Sequence, residues 1–505
     1  MNIVKALVHN ASRVSEKTAV VYENRSYTYR EFNCIVNRFA NGLLESGVKK
    51  GEKVALMMKN SDYFALSYFA CVKIGAIVVP INFRLVDREV AYILNQSDSS
   101  VVISDPEFEK MIFAVKQNLP HIRQVITAES TSHPKNVAID DLLSTKITEP
   151  AMEINSTDDV HILYTSGTTG NPKGAIFDHQ RVTSSVISCS ATLGFNSEEK
   201  FIHIAPLFHS AQLVIFLLSS FFVGGFNLIH RDFNPQDVYR DIEKHKITHF
   251  FAIPMMYRLM LAYKEKNQYD VSSISCFSYG AAPMSASEIK QCMDFFQSTN
   301  FYSLCGLTEG GPTGIYLSPE GHLKKAGVSG KHAILFTEAK AVNSEGEEIK
   351  AGEVGELILK GDTIMREYYK KPNETAATLV NGWLYTGDLV IKDEEGYMTV
   401  VDRNKDMIIT GGENVYSVEV ENILISHPQI EDVAVIGTVD PKWGEVVTAV
   451  IVPNKGENIN PEELDTFCRQ HLAAYKIPRK LVFEEELPRN ASGKLRKFEL
   501  REKVK

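Results

Sequence analysis

Apolar residues return every three or four positions over residues 29–45, the spacing of a helix with one buried face, and then close up into a strand pattern at 53–58. The alternation continues with a helix over 64–74, a β-rich run at 76–80, a helix over 87–95 and a strand at 100–104. It resumes after Asp159 with a strand at 160–164, a helix over 181–188, a strand at 226–230, a helix over 235–245 and a strand at 248–252. Helices and strands alternating at this spacing predict parallel sheets covered by helices. The longest apolar stretch, residues 213–229, is interrupted by Ser219, Ser220, Gly224, Gly225 and Asn227. The glycine pair divides it into a buried helix and a following strand, short of the roughly 20 apolar residues a membrane-spanning helix needs.

Beyond Gly327 the pattern changes to short strands, at 356–360 and 397–401, set between Gly, Asn and Asp. After Asp402-Arg403-Asn404-Lys405-Asp406 a compact α+β unit begins, with a helix over 417–426 for which Ser417 is the expected N-cap. Strands at 432–437 and 446–452 flank the Trp443-Gly444-Glu445 turn, and a helix covers 461–472. The expected fold is α/β: a large N-terminal domain of αβ-layered subdomains plus a small β-rich subdomain over 1–402, and an α+β C-terminal domain over 403–505.

Composition narrows the function. The chain has 505 residues, 44% of them apolar, enough for about three domain-sized units at ~150 residues each. Its net charge of −9 argues against a nucleic-acid binder, which would carry a basic face. The seven cysteines are scattered and form no C-x-x-C, the usage of a reduced, cytoplasmic protein without a zinc or disulfide framework. Polar residues interrupt the N-terminus too early for a signal-peptide core.

The strongest local signal is Tyr164-Thr165-Ser166-Gly167-Thr168-Thr169-Gly170-Asn171-Pro172-Lys173-Gly174, directly after a predicted strand. Its glycines permit close backbone approach, its successive N–H groups form a concavity for anions, and the hydroxyls and the Lys173 ammonium add donors. A polyphosphate is the natural guest. The Walker pattern does not fit, because Lys173 stands between Pro172 and Gly174 and the next residues read as a strand, not a helix.

That string resembles the signature loop of the adenylate-forming superfamily, which includes the acyl-CoA synthetases. Further motifs of that family follow in order along essentially the whole chain: Ala205-Pro206-Leu207-Phe208-His209, Tyr279-Gly280-Ala281-Ala282-Pro283, Gly306-Leu307-Thr308-Glu309, Tyr385-Thr386-Gly387-Asp388, the 402–406 segment, Gly411-Gly412-Glu413-Asn414, and Pro488-Arg489-Asn490-Ala491-Ser492-Gly493-Lys494. The resemblance implies a two-step reaction with ATP, Mg²⁺ and coenzyme A. A carboxylate attacks the α-phosphate to give an acyl-adenylate, and a thiol then displaces AMP. No protein nucleophile is required, so alignment and charge neutralisation carry the catalysis.

By the same resemblance, Thr165 through Gly170, Lys173 and Thr308 receive the nucleotide phosphates, and Glu309 and Thr165 hold Mg²⁺. Asp388 accepts the ribose hydroxyls, Arg403 contacts the same nucleotide, and Lys494 reaches the α-phosphate and the acid. His209, Tyr279, Gly280 and Ala281 line the acyl site. Lys405 is the hinge about which a mobile C-terminal domain turns, so that the segment from Gly411 to Asn414 replaces Lys494 for the thiol step. His209 stands where amino-acid-activating relatives place an Asp after the Phe, so the acid is expected to lack an α-amine.

Two departures stand out. Leu304-Cys305 replaces the family's aromatic residue that stacks on adenine, and Ser417 stands where the family prefers Pro. Cys305 reads as a small apolar filler. The expected substrate is a medium- or long-chain fatty acid, with an aryl-CoA ligase, a carrier-protein-loading enzyme or a non-catalytic nucleotide sensor as alternatives. Expected partners are the small acid and CoA, with no nucleic acid; peripheral membrane contact and a homodimer stay open.

Overall fold

The computed structural model describes residues 2–129, 136–165, 171–457, 459–489 and 495–504. The chain divides into two compact units, one of residues 1–339 with 359–384 and the other of 340–358 with 385–505.

The first unit is built on two large sheets. In one, six parallel strands come from 18–22, 226–229, 200–203, 249–252, 276–280 and 301–306, and antiparallel strands close both edges. In the other, strands at 159–165, 77–80, 53–57, 99–104, 124–127 and 137–138 run parallel, while 173–178 and then 367–368 add antiparallel to one edge. The expected αβ layering is therefore present. The helix Tyr29–Glu45 has the predicted limits, and Thr28 and Glu31 close a capping box at its start. The apolar stretch folds as anticipated into a π-wound turn sequence, Ala211–Leu218, a short helix, Ser219–Val223, and the strand Phe226–Ile229, with Gly224 at φ +87° turning between them.

A fully buried lysine anchors the start of this unit. The Lys73 ammonium donates to Asn33 Oδ1, Asn37 Oδ1 and Glu149 Oε2 at 2.7, 2.6 and 2.6 Å. Its three donors are thus satisfied, which is what allows a charge to be buried.

In the second unit the helices Ser417–Leu424 and Pro461–His471 cover a sheet ordered 413–415, 408–410, 444–453, 430–440, with 480–483 added parallel to 444–453. The β-rich segments 340–358 and 385–402 belong to this compact unit rather than to the first. Ser417 is not the cap expected of it. The helix begins at Ser417, its Tyr416 N-cap makes no side-chain bond, and the Ser417 N–H instead donates to Asp402 Oδ2 at 2.5 Å. A carboxylate at a helix N-terminus suits the helix dipole, so a residue fifteen positions upstream does the work assigned to the serine.

Candidate active site

The polyphosphate motif lies across a β-hairpin. Strands Asp159–Thr165 and Lys173–Asp178 pair antiparallel with Thr165 opposite Lys173, so the ladder ends where the Gly/Ser/Thr loop begins. Ser166, Gly167, Thr168, Thr169 and Gly170 lie outside the described residues; Thr165 and Lys173 are its two described shoulders. The Thr165 hydroxyl contacts the Lys173 carbonyl and Glu309 Oε1, both at 3.4 Å. Contacts of that length are weak and leave the hydroxyl able to turn to a ligand.

Glu309 sits in a short 3₁₀ turn, Thr308–Gly310, and is almost wholly buried. Its backbone carbonyl accepts from Met365 N at 2.8 Å, and its Oε1 accepts a 2.7 Å bond from the Tyr368 hydroxyl. The Lys173 ammonium lies 4.4 Å from the Tyr368 ring centroid. Carboxylate and hydroxyl oxygens are the donors a hard divalent cation takes, with phosphate and water completing its shell, so Thr165 and Glu309 fit Mg²⁺. Tyr368 was absent from the sequence expectation, since nothing in the spacing of Tyr368-Tyr369 connects it to a residue 59 positions away.

The acyl-side motifs sit on neighbouring elements of the same unit. The Thr308 hydroxyl is 3.0 Å from the Ser210 hydroxyl, which links the Glu309 turn to the His209 loop. That loop is clamped by Asn60, whose amide donates to Ala205 O at 2.8 Å and accepts from Leu207 N at 2.7 Å. Asn60 is a second residue the sequence did not reveal. The His209 ring packs on Phe208 with centroids 4.5 Å apart.

Tyr279 is buried in the core with Met284, and its hydroxyl pairs with His322 Nε2 at 3.0 Å. Burial pushes that hydroxyl up to about 12. Gly280 pairs with Leu304 on the adjacent strand, and a Cβ there would meet the Leu304 carbonyl oxygen at 2.6 Å. Only glycine permits that approach, and Ala281 next to it adopts φ +67°, a strained value for a residue with a side chain. Cys305 is half-buried and lines a cavity of about 20 Å³ with Leu193, Ile215, Leu304 and Ile334, which fits an apolar filler.

In the second unit Asp388 and Arg403 face each other across paired strands and form a 2.6 Å ion pair. Arg403 also donates to Thr386 O at 3.2 Å, and Asp388 N donates to the Thr386 hydroxyl at 3.1 Å. Lys405 is exposed in the turn that follows. Gly411 and Gly412, at φ +60° and +88°, form the two-residue turn of a hairpin in which Thr410 pairs with Glu413 and Ile409 with Asn414. A Cβ on Gly411 would meet the Trp443 ring at 2.8 Å. Lys494 lies outside the described residues.

The family model for AMP-binding enzymes matches residues 7–369, and that for the AMP-binding enzyme C-terminal domain matches 419–494. The chain belongs to the AMP-binding enzyme family. It is 36% identical over 495 residues to a feruloyl-CoA synthase of Amycolatopsis sp, covering 98% of this chain and 97% of the relative. It is also 36% identical over 481 residues to a long-chain-fatty-acid–CoA ligase of Mycobacterium tuberculosis, covering 94% and 92%. Among solved structures, the o-succinylbenzoate CoA synthetase of Bacillus subtilis in complex with its acyl-adenylate intermediate superposes with a TM-score of 0.88 at 31% identity, over 99% of this chain and 97% of that one. The fold and class expected for this AMP-binding enzyme, an AMP-forming acyl-CoA ligase of α/β architecture, are thereby established. No helix among the described residues is long and apolar enough to cross a membrane.

Proposed function

We propose that this AMP-binding enzyme activates a medium- or long-chain fatty acid with ATP and transfers it to coenzyme A. In the first step a carboxylate oxygen bonds to the α-phosphorus and pyrophosphate leaves. In the second the CoA sulfur bonds to the acyl carbon, AMP leaves, and the thiol proton passes to solvent. The observation that supports the activation step is the grouping of Thr165, Lys173 and Glu309 where the Gly/Ser/Thr loop begins: two oxygens of the kind a hard cation takes, with the Lys173 ammonium over the ring of the Tyr368 that bonds Glu309. Such a site aligns two anions and offsets the charge that builds up on phosphorus. Mg²⁺, bound there with ATP, would neutralise phosphate charge.

On this reading Asp388, already oriented by Arg403, accepts the ribose hydroxyls, and Arg403 keeps donors for the nucleotide. Lys494 meets the α-phosphate during adenylation. Rotation about Lys405 then exchanges it for the Gly411 to Asn414 hairpin, with 402/403 as the boundary of motion. His209 and the glycine-opened strand end at Gly280-Ala281 face the acid, and His209 in place of a carboxylate favours acids without an α-amine. The enzyme acts in the cytoplasm, on CoA rather than a carrier protein.

An aryl acid is the second reading, favoured by a feruloyl-CoA synthase being as similar to the chain as a fatty-acid ligase is. A panel of C2 to C18 and aryl acids, scored by pyrophosphate release with free CoA and with carrier protein, separates these readings. Activity peaking on C8 to C18 acids with free CoA is expected. Preference for cinnamates or benzoates, or for carrier protein, overturns the substrate assignment, and no acid-dependent pyrophosphate release overturns the reaction.

A further inference from the structure

Tyr368 is held by the backbone on every side. It pairs with Ala175 on the return strand of the hairpin, its N–H donates to the Thr375 hydroxyl at 3.0 Å, and the following Tyr369 N–H donates to Gly174 O at 2.8 Å. The ladder fixes where the Tyr368 Cα sits, and at 3% exposure the ring is enclosed by its neighbours. A buried tyrosine hydroxyl needs an acceptor, and a main-chain carbonyl would satisfy it. Here it donates to a carboxylate, the stronger charge-assisted bond. Among the described residues both hydrogen bonds to this carboxylate fall on Oε1, from Tyr368 and Thr165, which leaves Oε2 for a cation. The opposite property of the same side chain is used as well, since the ring face carries the Lys173 ammonium.

We propose that Tyr368 is a positioning residue for the nucleotide site, its hydroxyl fixing the Glu309 carboxylate for the divalent cation and its ring fixing the Lys173 ammonium for the phosphates. The inference rests on the acyl-adenylate reading above. It separates two effects that one residue exerts through two different groups. Tyr368→Phe removes the hydroxyl and keeps the ring; Tyr368→Leu removes both.

The test is acid-dependent ATP–pyrophosphate exchange across a Mg²⁺ titration, paired with Mn²⁺ binding to the ATP complex followed by electron paramagnetic resonance. Tyr368→Phe is expected to raise the Mg²⁺ concentration for half-maximal exchange on the order of tenfold, the worth of one hydrogen bond to a charged group. Mn²⁺ affinity should fall in parallel, and the rate at saturating Mg²⁺ should stay near that of the parent enzyme. Tyr368→Leu should add a rise in the Michaelis constant for ATP that excess Mg²⁺ does not cure. On a Glu309→Gln background the Tyr368→Phe effect on cation binding should vanish, whereas a loss of packing alone would persist there. Unchanged Mg²⁺ and Mn²⁺ dependence in Tyr368→Phe, with the parent enzyme active, overturns this inference and leaves the function standing. An inactive parent enzyme overturns both.

Discussion

The two units hold their motif residues in different ways. In the first, Thr165, Lys173, Glu309 and Gly280 sit at the ends of strands or in a turn pinned by backbone bonds, with buried aromatic side chains behind them. In the second, the motif residues lie on a strand pair and the turns that follow it, tied by charges: Asp388 to Arg403, Asp402 to the Ser417 N–H, Asp406 to Arg501 at 2.8 Å, and Lys497 to both Glu421 and the Ser417 hydroxyl, at 2.8 and 2.5 Å. Strand ends in a packed sheet suit a site that must stay one shape. Ion pairs are discrete contacts that a turning segment can break and remake, provided new partners take over, since Asp402 and the Lys497–Glu421 pair are largely buried and costly to leave unpaired. Under the function proposed above, the first unit supplies fixed geometry and the second the alternation.

The largest effect expected of that division is at Lys494. Lys494→Ala should lower the rate of adenylation by roughly 10²–10³-fold, the loss seen when one preorganised donor to developing charge is removed. Thioester formation from supplied acyl-adenylate should be nearly unaffected. Measuring pyrophosphate release and acyl-CoA formation separately checks this, and an equal loss in both half-reactions breaks the idea that the second unit alternates.

Acid should also distinguish the units. In the first, burial lowers His161 to about 3 and His179 and His203 to about 4. These imidazoles stay neutral when folded and take up protons when unfolded near pH 6.5. Their contribution is therefore full above that pH and is lost as pH falls toward 4. In the second unit, burial raises Asp402 and Glu421 against the opposing pull of Lys497. Mild acid protonates these carboxyls more readily folded than unfolded, so their effect on stability has the opposite sign. The two tryptophans report separately, since Trp383 lies in the first unit and Trp443 in the second. Acid unfolding of Trp383→Phe and Trp443→Phe, followed by fluorescence, should show the Trp383 signal lost at the higher pH. Loss of the Trp443 signal first would reverse the ranking of the units.

Much of the fold was legible because it depends on local spacing. The helix over 29–45, the strand–helix alternation and the division at Gly224-Gly225 follow from apolar periodicity and glycine placement alone. The hairpin could be placed for the same reason, since one strand pattern runs over 160–164 and another begins after Gly174; the structure carries them on to Thr165 and back to Lys173. What was hidden depends on partners distant in sequence. Tyr368 reaches Glu309, Asn60 clamps residues 205–207, and Asp402 caps the helix at Ser417, none of which leaves a local mark. Compactness was hidden too: segments 340–358 and 385–402 read as an appendix of the first unit, yet they pack with the second.

Cys305 supplies the finest test of the first unit's fixed geometry. It stands where the resemblance calls for an aromatic residue against adenine, in a strand that pairs it with Ile315. A thiol offers much less surface than a ring, so Cys305→Tyr should lower the Michaelis constant for ATP by about fivefold, the factor for ~1 kcal/mol of stacking. The cavity beside Cys305, about 20 Å³, is far too small for a phenol ring. A ring forced into it would overpack the apolar wall, costing roughly 1–3 kcal/mol of stability. Steady-state kinetics and thermal unfolding together therefore tell the two orientations apart. A lower Michaelis constant with an unchanged melting temperature places the ring on the nucleotide side. An unchanged constant with unchanged melting means that another side chain already covers the base, so that no aromatic residue is needed at this position.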